Sequence, residues 1–175
     1  MRVNVVGAGP AGLLFALLIK RRFAEWSVRV FEQNPPDATF GFGVVFSLNA
    51  LAFLERDVTD LHAQLISRLE SWPMQRIVHR DERIDIDGNG FSAIGRLELN
   101  QFLQDLCAKA GVEIEYHRAI ATLDEVKACD LLARQAQVLA LFDQAKVRLG
   151  IGAHKAHGQA AFTRTAGAAD AVHIV

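Results

Sequence analysis

Cysteine is scarce in this chain: Cys107 and Cys129 are the only two, and they fall in no Cys-x-x-Cys pair. That suits a reduced cytosolic protein and excludes a disulfide frame. A surplus of either charge is also lacking, with a net charge of -1. There is neither the basic excess that nucleic acid demands nor the acidic excess of disordered chains. An unbroken hydrophobic run is missing too. The apolar stretch from Val3 to Ile19 is interrupted by Gly7, Gly9, Pro10 and Gly12, and the cluster Lys20-Arg21-Arg22 follows it where a signal peptide would need it in front. No nucleic-acid partner and no membrane are expected, and the cytoplasm is the expected compartment. Repeats and long linkers are absent. What remains, 175 residues of which 51% are hydrophobic and 22% charged, is an ordinary globular composition. It suffices for one domain or for part of a larger one.

Hydrophobic periodicity predicts an α/β order. Val3–Val6 reads as a short buried strand, Gly7–Gly12 as a tight turn, Leu13–Arg22 as a helix and Ser27–Phe31 as a second strand leading into Glu32. Asn34-Pro35-Pro36-Asp37 is a break, followed by a glycine-spaced apolar stretch, Phe40–Ser47. Helices are predicted over Asn49–Glu55 and Thr59–Ser71, with Thr59 and Asp60 as the cap region of the latter. Gln75–His79 and Arg83–Ile86 read as paired strands around a bend at Arg80-Asp81-Glu82. Arg96–Ala110 is an amphipathic helix with Leu99, Phe102, Leu103 and Leu106 on one face. Gly111 stands at its C-cap, and Val112–Tyr116 is a further strand. Residues 131–147 are read as one more helix, and the chain after Gly150 is rich in Ala, Gly and His with weak periodicity.

The chemistry lies in Gly7-Ala8-Gly9-Pro10-Ala11-Gly12, a Gly-x-Gly-x-x-Gly turn between a strand and a helix. Gly7 permits the sharp turn, Gly9 lets a pyrophosphate approach the backbone, and Gly12 lets the helix lie close on the strand. Amides and dipole at the helix start then favour phosphate. Ala16 is small on the face that meets the sheet. Glu32 lies 20 residues past Gly12, at the end of the next strand, where its carboxylate can accept hydrogen bonds from ribose hydroxyls. A carboxylate there disfavours a 2′-phosphate and so disfavours NADP at this site. The residues identify a Rossmann-like βαβ nucleotide site; by themselves they leave FAD and NAD open. The candidate cofactor set from this region is Gly7, Gly9, Pro10, Ala11, Gly12, Glu32 and its neighbour Gln33.

These motifs, taken with Gly41-Phe42-Gly43-Val44-Val45-Phe46-Ser47 and Gly95-Arg96-Leu97-Glu98-Leu99, resemble the amino-terminal part of the flavin-dependent, single-component aromatic monooxygenases. The similarity is nearest to the branch containing salicylyl-CoA 5-hydroxylase and 2-aminobenzoyl-CoA monooxygenase, and covers about residues 1–132. In that branch the loop typically reads Gly-Trp-Gly-Val-Val-Phe-Ser; here Phe42 stands at the Trp position. The resemblance implies an FAD-binding domain over 1–132 with a parallel sheet and a small hairpin-and-helix insertion. It implies that Arg96 faces the FAD pyrophosphate, and that Phe42, Gly43 and Val44 run beside the flavin ring. It also implies NAD(P)H as transient reductant, molecular oxygen as co-substrate and a small aromatic substrate, with a CoA thioester as one candidate. Hydroxylation by a flavin needs no catalytic triad or metal, and the chain is assigned no catalytic residue and no metal ligand.

The resemblance implies that Ala128-Cys129-Asp130-Leu131-Leu132 begins a strand, and the match to the family stops there. Residues 133–175 contain no Asp-Gly, the core of the family's second FAD motif. They are read as a divergent tail, a helix and then a weakly ordered segment. Three explanations stand: a truncated or frameshifted product, favoured here; a defined piece of a longer chain; and a reduced nucleotide-binding module. On the favoured reading the chain alone binds FAD weakly and has little or no hydroxylase activity. The alternatives in function are another FAD- or NAD-dependent oxidoreductase and a non-catalytic nucleotide-binding module. Other signals are set aside. His154 and His157 lack a third ligand for a metal. Asp81-Glu82 and Asp124-Glu125 read as solvated turns. Cys107 reads as a small core residue, and Trp72 as core packing.

Overall fold

The computed structural model describes residues 1–88 and 90–134 together with the backbone of 173–174. Strand β1 (Arg2–Val6) leads to helix α1 (Pro10–Arg22) and strand β2 (Ser27–Phe31). Then come β3 (Gly43–Ser47), α2 (Leu48–Asp57), α3 (Thr59–Ile66), β4 (Glu70–Trp72), β5 (Gln75–His79), β6 (Glu82–Ile86) and β7 (Phe91–Gly95). Helix α4 (Arg96–Ala110), β8 (Glu113–Glu115), a short 3-10 helix (Leu123–Val126), β9 (Leu131–Arg134) and β10 (His173–Ile174) complete the order. The described residues divide into two units, one made of Met1–Gly41 with the chain from Arg96 onward, the other of Phe42–Gly95 together with β10.

The first unit is a four-stranded sheet in the order β8-β2-β1-β9, with every pairing parallel. That is the order of a doubly wound nucleotide-binding half, in which chain direction across the sheet reverses at the first strand. Val3, Val5, Val28 and Val30 alternate along their strands and are buried on the face that meets α1, while Arg29 on the other face is exposed. Full burial of each contributes roughly 1.5–3 kcal/mol. Helix α1 buries Gly12, Leu13, Ala16 and Leu17, spaced as one helical face, and packs against α4. The α4 contribution is Leu99, Phe102, Leu103, Leu106 and Cys107. Gly111 ends α4 at φ +83°, its N–H donating to Ala108 O at 3.0 Å while Val112 N–H reaches Cys107 O at 2.9 Å. This is a Schellman closure that favours glycine.

The second unit holds an antiparallel sheet, β3-β7-β4, and the β5–β6 hairpin with β10 added to β5. Leu51 and Leu54 of α2 and Leu61 and Leu65 of α3 are its buried residues on the helices. It corresponds in kind to the predicted hairpin-and-helix insertion.

Several boundaries differ from expectation. Helix α1 starts at Pro10, not Leu13, because proline suits the first helical position, where no amide is needed. The helix from Thr59 stops at Ile66, and Glu70 and Ser71, expected helical, pair with β7. Cross-strand partners such as Ser71 with Ser92 (Oγ to Oγ 2.8 Å) override a helical pattern on so short a segment. Val58 caps that helix without a side-chain bond, and Thr59 Oγ1 instead donates to Glu55 O at 2.9 Å. Strand β7 was not anticipated. The helix expected over 131–147 begins as β9, in agreement with the strand that the resemblance implies there, because the open edge of β1 supplies a ladder that local propensity does not signal. Arg2 N–H donates to Asp130 Oδ2 at 2.7 Å, and Asp130 N–H to Arg2 O at 2.9 Å, setting its register. The remainder of that predicted helix, the tail, and His154 and His157 lie outside the described residues. Trp72 is not core: it is 37% exposed and stacks on Phe91 with centroids 6.4 Å apart.

Candidate functional site

At the carboxyl ends of β1 and β2 the first unit opens into a cleft of about 370 Å³. That falls within the size range of small-molecule sites, and open α/β sheets bind ligands at this end. One wall is the glycine turn. Gly7 has φ +103°, a left-handed conformation, and its N–H donates to Phe31 O at 2.8 Å, tying the turn to β2. Gly9 is the extended N-cap of α1. Gly12 lies behind the turn: a Cβ there would stand 2.1 Å from Gly7 O, a clash with backbone that cannot be relieved by a rotamer. The residue type at 12 is therefore dictated by helix–strand closeness.

Glu32 leaves β2 beside this turn. Its Oε2 accepts from Ala8 N–H at 2.7 Å, and its Oε1 accepts from Asn34 N–H at 2.9 Å and Asn34 Nδ2 at 2.7 Å. Its own N–H donates to Glu115 O at 2.9 Å. The carboxylate is thus held half-buried against the helix mouth. Oε2, which accepts only one of these bonds, keeps acceptor capacity for a further donor.

The opposing wall is α4. Arg96 lies in its first turn and lines the cleft, with Nη1 3.6 Å from the position a Cβ would take on Gly41. Gly41 itself sits at φ +95°. A planar guanidinium facing a helix mouth and its dipole makes a site for a phosphate-type oxyanion. Asn100 and Gln104 follow Arg96 along the cleft, and Tyr116 and Arg118 close it after β8. Arg118 N–H donates to Glu32 O at 2.8 Å, and its guanidinium lies 3.6 Å from Glu125. Burial, then the nearby Cys107, Glu32 and Asp105, push the Tyr116 phenol up, so it stays protonated at neutral pH.

Of the predicted residues, Gly7, Gly9, Pro10, Glu32, Gln33 and Arg96 converge on this cleft. Ala11 and Gly12 support it from within α1. Phe42, Gly43 and Val44 open the second unit, and their expected place beside a flavin ring rests on the resemblance. Sequence reasoning missed Asn34, Asn100, Gln104, Tyr116 and Arg118. The signal for two of these was present: Asn100 and Gln104 repeat the spacing of Arg96 by fours on a helix already recognised. Cys107 is buried, with Sγ 3.4 Å from Leu13 O, and burial pushes its thiol up to about 12. It is a packing residue. No group of three metal-ligating side chains occurs among the described residues. No helix among them is long and apolar enough to cross a membrane.

No family model matches the chain. It is similar to salicyloyl-CoA 5-hydroxylase of a Streptomyces species, 36% identical over 132 residues, which are 75% of this chain and 26% of that one. It is also similar to 3-hydroxy-4-methyl-anthranilyl-[aryl-carrier protein] 5-monooxygenase of Streptosporangium sibiricum, 29% identical over 116 residues, 66% of this chain and 33% of the relative. Among solved structures, a mutant of 2-methyl-3-hydroxypyridine-5-carboxylic acid oxygenase superposes with a TM-score of 0.57 at 24% identity, covering 66% of this chain and 31% of that one. The chain spans about a quarter to a third of the length of these relatives. Its Rossmann-like α/β fold is the one these hydroxylases share over that stretch, and its first 132 residues resemble the aromatic monooxygenase family.

Proposed function

We propose that this chain binds FAD through its adenosine diphosphate half and forms the amino-terminal FAD-binding portion of an NAD(P)H-dependent monooxygenase acting on a small aromatic substrate. The observation that carries the reading is Glu32, pinned by Ala8 N–H at 2.7 Å beside the glycine turn, in the same cleft as Arg96. In this arrangement the amides at the start of α1 and the Arg96 guanidinium hold the diphosphate. The Glu32 carboxylate accepts from the ribose. The donor set fits such a ligand, because the anionic part meets amides and a cation while the hydroxyl-bearing part meets acceptors. A bound flavin supplies the redox and oxygen chemistry, and the chain's own task is to orient it.

The similarity to a hydroxylase named for a CoA thioester makes an aromatic CoA thioester the first substrate class to test. Phe42, Gly43 and Val44 are assigned to the flavin ring on the same ground. With no Asp-Gly in residues 133–175, the 175-residue chain is proposed to bind FAD weakly and to hydroxylate little or nothing alone.

An FAD titration followed by flavin fluorescence and absorption tests the core of this reading. Binding that ADP competes away supports it. A folded protein that binds NAD but neither FAD nor ADP-competed flavin overturns it in favour of another dinucleotide enzyme, and one that binds no nucleotide leaves a non-catalytic module.

A further inference from the structure

Arg96, Asn100 and Gln104 recur every four residues along α4, and all three line the cleft. Four residues of helix rise about 6 Å, so the three form a polar stripe stepping along one wall. The stripe borders the buried face of Leu99, Phe102, Leu103 and Leu106. At the far end of the stripe, Gln104 Nε2 donates to Pro36 O at 3.1 Å in the loop after β2. In the middle, Asn100 differs from both neighbours. It is only 8% exposed, and its Oδ1 is buried with no hydrogen-bond partner among the described residues. Buried side-chain oxygens are seldom left unpaired, and an orphaned one destabilises the fold that holds it. The last torsion of asparagine is broad and nearly two-fold, so a modest rotation presents Oδ1 to the cleft.

We propose that Asn100 is a sugar contact, its Oδ1 accepting a hydrogen bond from a ribose hydroxyl of the bound adenosine diphosphate group. The inference rests on the reading that this cleft holds that group. Phosphate oxygens cannot satisfy Oδ1, since they only accept. The ligand's donors are the ribose hydroxyls and the adenine amino group. Asn100 stands one helical turn from Arg96, which takes the phosphates, and the sugar is the group bonded next to them. Glu32 reaches the same group from the end of β2. Two acceptors on two elements then serve two hydroxyls.

Calorimetric titration of the whole 175-residue chain with ADP, 2′-deoxy-ADP and 3′-deoxy-ADP tests this. Asn100→Leu, of the same branching, is expected to weaken ADP binding about tenfold, the loss of one hydrogen bond. One of the two deoxy analogues is expected to bind wild type and variant alike, because the contact is already missing on the ligand side. The ligand-free variant is expected to melt no lower than wild type, since an unpaired acceptor has been removed. Asn100→Ser is expected to give the same binding pattern and serves where leucine disturbs folding. Equal ADP affinity in wild type and both variants overturns the sugar contact and leaves the site reading standing. A loss that persists undiminished with both deoxy analogues also overturns it. A folded wild type that does not bind ADP overturns the site reading itself, and this inference with it.

Discussion

The two units use their apolar residues differently. In the first, Val3 and Val5 on the central strand are 1% and 0% exposed, under helices α1 and α4, which pack on each other. In the second, Val45 on β3 is 58% exposed, and Ile84 on the hairpin is 54% exposed. Among the described residues, one face of the first sheet is covered by helices, whereas these strand residues of the second have no such cover. The first unit therefore gathers a rigid wall of backbone around the glycine turn, and it is there that the cleft is built. The second carries apolar surface that its described residues do not cover, and it contributes nothing to the tight packing that fixes Gly12 against Gly7.

That contrast can be broken most severely at Gly12. Gly12→Ala forces a Cβ to within 2.1 Å of Gly7 O, and it is expected to destabilise the protein by more than about 3 kcal/mol in a denaturant melt. Gly88→Ala in the second unit has nothing within 4 Å and only a φ of +74° to oppose it, so about 1 kcal/mol is expected. Similar losses at the two sites would contradict the division. Next in size is a matched pair in strands. Val5→Ala is expected to lower stability by about 2–3 kcal/mol through lost burial and a cavity. Val45→Ala is expected to stay within about 0.5 kcal/mol of wild type.

Glu32→Gln replaces one of two acceptor oxygens by an NH2 donor and removes the charge that strengthens the hydrogen bonds. FAD or ADP affinity is expected to fall about tenfold and the melting temperature to drop slightly, because only Ala8 N–H or the two Asn34 donors can keep an oxygen partner. A variant that binds as wild type would remove Glu32 from the site. The smallest effect at neutral pH concerns the thiols. Native alkylation followed by mass spectrometry is expected to modify Cys129 and spare Cys107. Burial raises the Cys107 thiol from 9.0 to about 12, so its contribution to stability is complete below about pH 9 and lost as pH rises toward 12. Cys107→Ala should flatten that alkaline limb of the stability profile.

Much of the first unit was legible because its signals are local. The turn Gly7–Gly12 needs glycine for steric reasons that hold in any sequence, and the period of Leu99, Phe102, Leu103 and Leu106 marks a helix whose bounds, Arg96–Ala110, matched in full. Glu32 was found through its distance along the chain from Gly12. Strands that depend on a distant edge were not legible from their own residues. Leu131–Arg134 suits a helix locally and was signalled as a strand only by the resemblance; the open side of β1 makes it one. Glu70–Trp72 and Phe91–Gly95 are strands through each other. Within the site, Tyr116 and Arg118 escaped notice because nothing near them in the chain marks them; the parallel pairing of β8 with β2 carries them to the cleft.

The amino-acid sequence alone determined the glycine turn, its acidic partner and the helix that bears Arg96, since each rests on glycine sterics or on a spacing contained within a few turns of chain. Only the tertiary structure decided which polar residues share the cleft and that Asn100 Oδ1 is left without a partner among the described residues. Whether a side-chain oxygen is paired depends on every element that folds around it, and no spacing along the chain records that.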